Sequence, residues 1–220
     1  MLASLFVVFG LTACASKSLL SEVTSAVFYD KLPFDAPKVS EAKLNPNFQY
    51  LRVTLAGAKP ALLVLGYVDA HPQGSIEVWY SGLGEVLRLQ NGRLVGATGL
   101  AVEWRRVDYP QAPPAWQSLP PAGVQYARVR DEYPGYRLGL VDQVLLTPLP
   151  QPPPALPPGA PANATWYQER YSVAGGTSVP DAWFALGTHD GQHTIIYSRQ
   201  CLSVSVCLTL QRWPLQKDSL

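Results

Sequence analysis

Cleaving a glycosidic bond takes two carboxylates facing one cleft. The chain offers Glu77, Glu103, Asp108, Asp131, Glu132, Asp142 and Glu169 among strand-like runs. None lies in a recognisable catalytic motif. Glu77 falls on the same strand face as Trp79, where the indole either stacks on a sugar ring or packs beside an edge charge. There is no G-x-S-x-G, and Ser81-Gly82 belongs to a turn. His189 and His193 are four residues apart, a metal-binding spacing on a helix, but they flank Asp190-Gly191, a hairpin turn sequence. The imidazoles then point to opposite faces, and no metal is expected. No glycine-rich phosphate loop is present, and no cofactor is expected. Arg93 and Arg199 each close or follow a hairpin. A guanidinium there either anchors loop carbonyls or meets an acidic polymer. Thr98-Gly99 reads as a tight bend or a close approach to a ligand.

The elements that must position these groups are strands. Residues 50–55 alternate well enough for an outer strand, and ALLVLGYV at 61–68 is apolar on both faces, as in a central buried strand. DAHPQG turns the chain. Residues 75–80 follow, with Ile76, Val78 and Tyr80 on one face, and SGLG leads to EVLRLQ. Asn91-Gly92 is the strongest local signal, because both positions of a two-residue hairpin turn need positive φ. It pairs Gln90 with Arg93 and Leu89 with Leu94, and puts Leu87, Leu89 and Leu94 on a core face. QYARVRDEY, RLGLVDQVLLTPL and TWYQERYSV are further strand candidates. DAWFALGTHDGQHTIIYSRQ is a second hairpin that turns at Asp190-Gly191. Trp79 and Trp183 hold similar places ahead of a turn in the two halves. Proline-rich stretches at 109–123 and 147–164 cannot supply ladder donors and should run as extended loops. The fold expected is mainly β: an antiparallel β-sandwich or half-open barrel. A short N-terminal helix within 15–31 would carry Leu19, Leu20, Val23, Val27 and Phe28 on one stripe.

Composition narrows the function. A formal charge of +1 with 15% charged residues leaves no basic footprint for nucleic acid. Pro 21 and Gly 17 favour strands and turns over long helices. Residues 2–11 form an apolar block interrupted only by Gly10. A membrane-spanning helix needs roughly 20 residues, so the block fits the core of a secretory signal instead. It ends in Leu11-Thr12-Ala13-Cys14, which resembles the lipobox of bacterial lipoproteins. Small residues suit the signal peptidase cleft, and the free thiol accepts the lipid. Residues 1–13 would be the signal peptide and 14–220 a single β domain held to a membrane by acyl chains. The alternative is a buried thiol in an N-terminal helix. No Lys or Arg precedes the apolar block, which suggests that translation starts upstream of Met1. Ala15 stands where Asp would favour inner-membrane retention, so the periplasmic face of the outer membrane is expected. An oxidising compartment permits a disulfide between Cys201 and Cys207. It requires the chain to turn near Ser203-Val204; two buried thiols are the alternative.

Together, Leu11 to Cys14, ALLVLGYV, the Trp79 strand, NGRLVGATGL and WFALGTHDGQHTIIYSRQ resemble the group 4 capsule polysaccharide lipoprotein family of the GfcB/YjbF type. The features run in the expected order and span roughly Tyr50 to the C-terminus. GRLVGATGL and Ser198-Arg199-Gln200 are the most specific pieces. Two departures stand out: Cys201 replaces an aromatic after Ser-Arg-Gln, and the proline-rich loop is longer. The resemblance implies a mainly β lipoprotein that takes part in capsule or exopolysaccharide export, and it brings no catalytic residues. A non-enzymatic role by binding glycan or export proteins is the first expectation, with Trp79, Arg93, Thr98, Trp183, Arg199 and Gln200 as contact or structural residues. A glycan-modifying enzyme with a carboxylate pair and a purely structural envelope lipoprotein are the alternatives.

Overall fold

The computed structural model describes Val39 and residues 44–154, 159–161, 163–173 and 178–214. Cys14, the apolar block before it and the expected helix at 15–31 lie outside the described residues. Twelve strands follow in chain order: β1 (Tyr50–Leu55), β2 (Ala61–Asp69), β3 (Ile76–Tyr80), β4 (Val86–Gln90), β5 (Arg93–Thr98), β6 (Glu103–Asp108), β7 (Val124–Tyr133), β8 (Arg137–Leu149), β9 (Thr165–Val173), β10 (Ala182–His189), β11 (Gln192–Cys201) and β12 (Cys207–Trp213). Each pairs antiparallel with the next, and β1 pairs with β12 from Tyr50↔Trp213 to Leu55↔Leu208. The mainly β, antiparallel fold is therefore present, with its single sheet closed into a ring that leaves no free edge.

Local chemistry accounts for the turns. Asn91 and Gly92 have φ of 50° and 80°, and Asp190 and Gly191 have 49° and 73°. These are the left-handed positions that a two-residue hairpin demands. Gln90 faces Arg93, Leu89 faces Leu94, and His189 faces Gln192. Three segments differ from their sequence patterns. β2 is not a central buried strand throughout: Ala61 and Leu63 are buried, while Gly66 to Asp69 are exposed beyond a register shift at Leu65/Tyr67. β8 runs into the second proline stretch, and Pro148 faces Tyr167 of β9. β8 pairs with β7 only as far as Val124↔Leu146, so a residue lacking an N–H is tolerated past that point. The first proline stretch is not a bare spacer. It carries a 3₁₀ turn at Trp116–Ser118 and buries Trp116 against Phe184, with ring centroids 4.9 Å apart.

Eight strands already give a bore that side chains just fill; twelve leave more room. The β4–β5 hairpin takes up that room. β5 meets β6 in register at one pair, Ala97↔Trp104. Its first residues instead reach β11 on the opposite wall. Leu94 N donates to Gln200 Oε1 at 2.8 Å, and Gln200 Nε2 donates to Gly92 O at 2.8 Å and Ser198 Oγ at 2.9 Å. Trp116 Nε1 donates to Asn91 O at 3.0 Å from the loop. Leu51, Leu63, Trp79, Leu87, Leu94, Trp104, Leu208 and Leu210 fill one side of the bore as a single apolar cluster.

Gly92 presses on β11 closely enough that a Cβ there would lie 2.5 Å from Ile195 Cβ, on a backbone already at φ 80°. Gly92→Ala should therefore cost about 3 kcal/mol in urea unfolding, from overlap and left-handed strain together. Unchanged stability would show that the hairpin tip is not seated against β11.

Candidate functional site

Alternation along β7, β8 and β9 turns charged and phenolic side chains into the bore. Arg93 Nε donates to Glu169 Oε1 at 2.7 Å and to Tyr126 Oη at 3.2 Å. Tyr126 Oη donates to Glu169 Oε1 at 2.6 Å, and Tyr171 Oη to Glu169 Oε2 at 2.7 Å. Asp142 Oδ2 accepts from Arg128 Nε at 2.7 Å and Arg130 Nε at 2.8 Å. Glu132 binds Arg130 and Arg137. Arg93, Arg128 and Arg130 thus balance Glu169, Asp142 and Glu132 inside the ring. The unpartnered Nη2 atoms of Arg93 and Arg128 belong to guanidiniums lying over aromatic faces, Arg93 at 3.8 Å from the Trp116 centroid and Arg128 at 4.2 Å from that of Tyr171.

The catalytic candidates all stand in pairs of opposite charge, Glu132, Asp142 and Glu169 inside the bore and the others nearer its surface. Glu77 binds Arg212, Glu103 binds Arg105, and Asp108 and Asp131 both meet Arg106. With Glu132, Asp142 and Glu169, every carboxylate named from the sequence has an arginine partner. Trp79 is fully buried and donates to Glu77 Oε2 at 3.1 Å, so its ring offers no face to a polymer. Arg93 and Gln200 are buried too. Arg93 is an anchor, but to a carboxylate and a phenol rather than to loop carbonyls. Thr98 ends β5 opposite Val86, one register row from Trp79 two strands over. Thr188 faces His193, one register pair from His189 and Gln192, so the two imidazoles lie on opposite faces of their hairpin. Among the described residues no group of three metal-ligating side chains gathers.

The outer wall assembles the remaining candidates. Thr54, Thr209, Arg199, Trp183 and Gln168 are successive register partners across β1, β12, β11, β10 and β9. Arg199 lies over the Trp183 ring, 5.1 Å from its centroid. A parallel row carries Arg52, Gln211 and Tyr197. Arg52 donates to Gln211 Oε1 at 3.1 Å and lies over Trp213 at 5.5 Å. Between the rows is a groove of about 360 Å³ lined by Arg52, Thr54, Tyr197, Arg199 and Thr209, and bordered by the β1–β2 turn and Cys207. Cys207 is bonded to Cys201, which closes the β11–β12 hairpin beside the groove. Sequence reasoning missed Arg52, Tyr197 and Thr209, because only the ring closure of β1 on β12 brings Arg52 beside the β11 residues. The signal available was the outward alternation of Arg52 and Thr54 in YLRVTL.

The sequence matches no known family and no curated protein. A solved structure does share the fold: the crystal structure of the hypothetical lipoprotein YmcC from Escherichia coli K12, with a TM-score of 0.58. The match covers 83% of this chain and 89% of that one at 14% identity. The likeness is one of architecture.

Two consequences of the interior are measurable. Glu169→Ala would leave Arg93 buried without its counter-charge and should cost about 4 kcal/mol in urea unfolding; a cost within experimental error would remove the pair from the core's energetics. Burial pushes the Tyr109 phenol up to about 12, and burial followed by the charge of Glu169 raises Tyr126 and Tyr171 well above 10.0. The fold thus holds these protons more tightly than the unfolded chain does. Its stability is full below about pH 10 and falls as pH rises beyond it toward the folded values. Ultraviolet titration should show these phenols ionising last, together with loss of structure. Simple reversible ionisation of every tyrosine at the ordinary value would contradict the arrangement.

Proposed function

We propose that this chain is a lipoprotein, acylated at Cys14 and held at the periplasmic face of the outer membrane. It assists export or assembly of a capsule or exopolysaccharide by binding the glycan or the export proteins, without enzymatic turnover. The observation that carries this reading is the outer row in which Arg199 lies over Trp183, flanked by hydroxyl and amide side chains. Aromatic faces and planar guanidiniums are the groups that hold sugar rings and their acidic substituents. The engaged carboxylates of the interior favour binding over acid–base chemistry. The Leu11-Thr12-Ala13-Cys14 pattern and a fold shared with a hypothetical lipoprotein support the anchor.

Deleting the gene in its native host should lower the amount of surface polysaccharide, and wild-type protein should restore it. A Cys14→Ser variant should fold, take up no fatty-acid label, leave the membrane fraction and fail to restore export. Equal labelling of wild type and variant would remove Cys14 as the anchor. Unchanged polysaccharide on deletion would remove the export role.

A further inference from the structure

From the outer groove we infer a more specific ligand: an acidic glycan segment, with uronic acid carboxylates paired to Arg52 and Arg199 and a sugar ring laid against Trp183. This deepens the glycan-binding reading and rests on it. Three observations carry it. First, among the described residues seven arginines have carboxylate partners and four, Arg52, Arg88, Arg170 and Arg199, have none; Arg52 and Arg199 are the two of these that share one groove. Second, β1, β11 and β12, which form the groove, contain no acidic residue at all, so the two cations meet no counter-charge from their own wall. Third, both guanidiniums are held in place by aromatic rings, Arg199 over Trp183 and Arg52 over Trp213. Their donors are therefore pre-positioned, and little side-chain freedom is lost on binding.

The two arginines sit on strands separated by β12, a lateral distance of roughly 10 Å. A chain of linked sugars can touch both at once. A single small anion cannot. Partial burial without a carboxylate lowers the Arg52 pKa, as expected of a cation whose counter-charge arrives with the ligand. A second outer groove of about 430 Å³, over β7 to β9, holds a single arginine, Arg170, against the two of the first groove. It serves as the internal comparison.

The test is binding of the purified full chain to three polymers: polygalacturonate, its methyl ester, and polyglutamate. Polygalacturonate should bind, and added salt should weaken it. The methyl ester, which keeps the rings and loses the charge, should bind at least about tenfold more weakly, as should polyglutamate, which keeps the charge and loses the rings. Arg52→Gln and Arg199→Gln should each weaken polygalacturonate about tenfold, and Arg170→Gln should leave it unchanged. Arg52→Lys and Arg199→Lys keep the charge and should lose part of the affinity. Near-ultraviolet circular dichroism checks the fold of each variant, and the acid-to-ester comparison needs only the wild type. Equal binding of acid and ester would overturn the proposal and leave neutral glycan binding standing. Equal binding of polyglutamate, dependence on Arg170 instead of Arg52 and Arg199, or no binding to any polymer would also overturn it. The export phenotype of the deletion tests the wider role separately.

Discussion

The side chain of Gln200 makes three hydrogen bonds inside the ring, two of them to the backbone of the opposite wall. Its carbonyl takes the Leu94 amide proton, and its amide nitrogen serves Gly92 O and Ser198 Oγ. Both backbone groups lie where β5 has left its pairing with β6, so without Gln200 they would be buried and unpaired, at about 1–3 kcal/mol each. A ring of twelve strands encloses more space than wall side chains alone fill. Drawing one hairpin across the bore solves that packing problem, and Gln200 is the group that holds it there.

The polar interior follows from the same constraint. Once the hairpin crosses, Arg93 beside its tip faces β7 and β9, and Glu169 with Tyr126 is what meets it. Trp116 comes in from the proline-rich loop to cover the guanidinium and to cap the hairpin tip through Asn91 O. Asp142 and Glu132 continue the pattern toward the β7–β8 turn, balancing Arg128 and Arg130. Charges are acceptable at this depth because each has a counter-charge and a hydrogen bond, and each of the three guanidiniums also has an aromatic face. The bore is filled in this way by the hairpin, its apolar cluster and the paired charges. The proposed binding surface is therefore the outer wall, where Arg199 and Arg52 lie on tryptophans without carboxylate partners among the described residues.

The strands and their short turns were readable from sequence because their causes are local. Asn91-Gly92 and Asp190-Gly191 fix their hairpins through the φ that each residue accepts. Leu87, Leu89 and Leu94 share the core face through simple alternation across that turn. The roles of Arg93 and Gln200 were not readable, because each is set by residues 76 and 106–108 positions away. In β7 the usual logic reverses: Arg128 and Arg130 point inward and Val129 between them does not, a pattern that only their inward partners explain. The proline stretches misled for a related reason. Composition described their backbone, but burial of Trp116 and the pairing of Pro148 depend on what lies opposite.

The most direct test of this account is native-state hydrogen exchange at the Leu94 amide. That proton has no strand partner and is held by the Gln200 side chain alone. If the hairpin is latched across a filled bore, Leu94 should exchange only through global unfolding, as slowly as the amides at the centres of β11 and β12. Exchange at the rate of the surface turns would mean that the latch is open in solution, and would contradict the claim that the interior is closed.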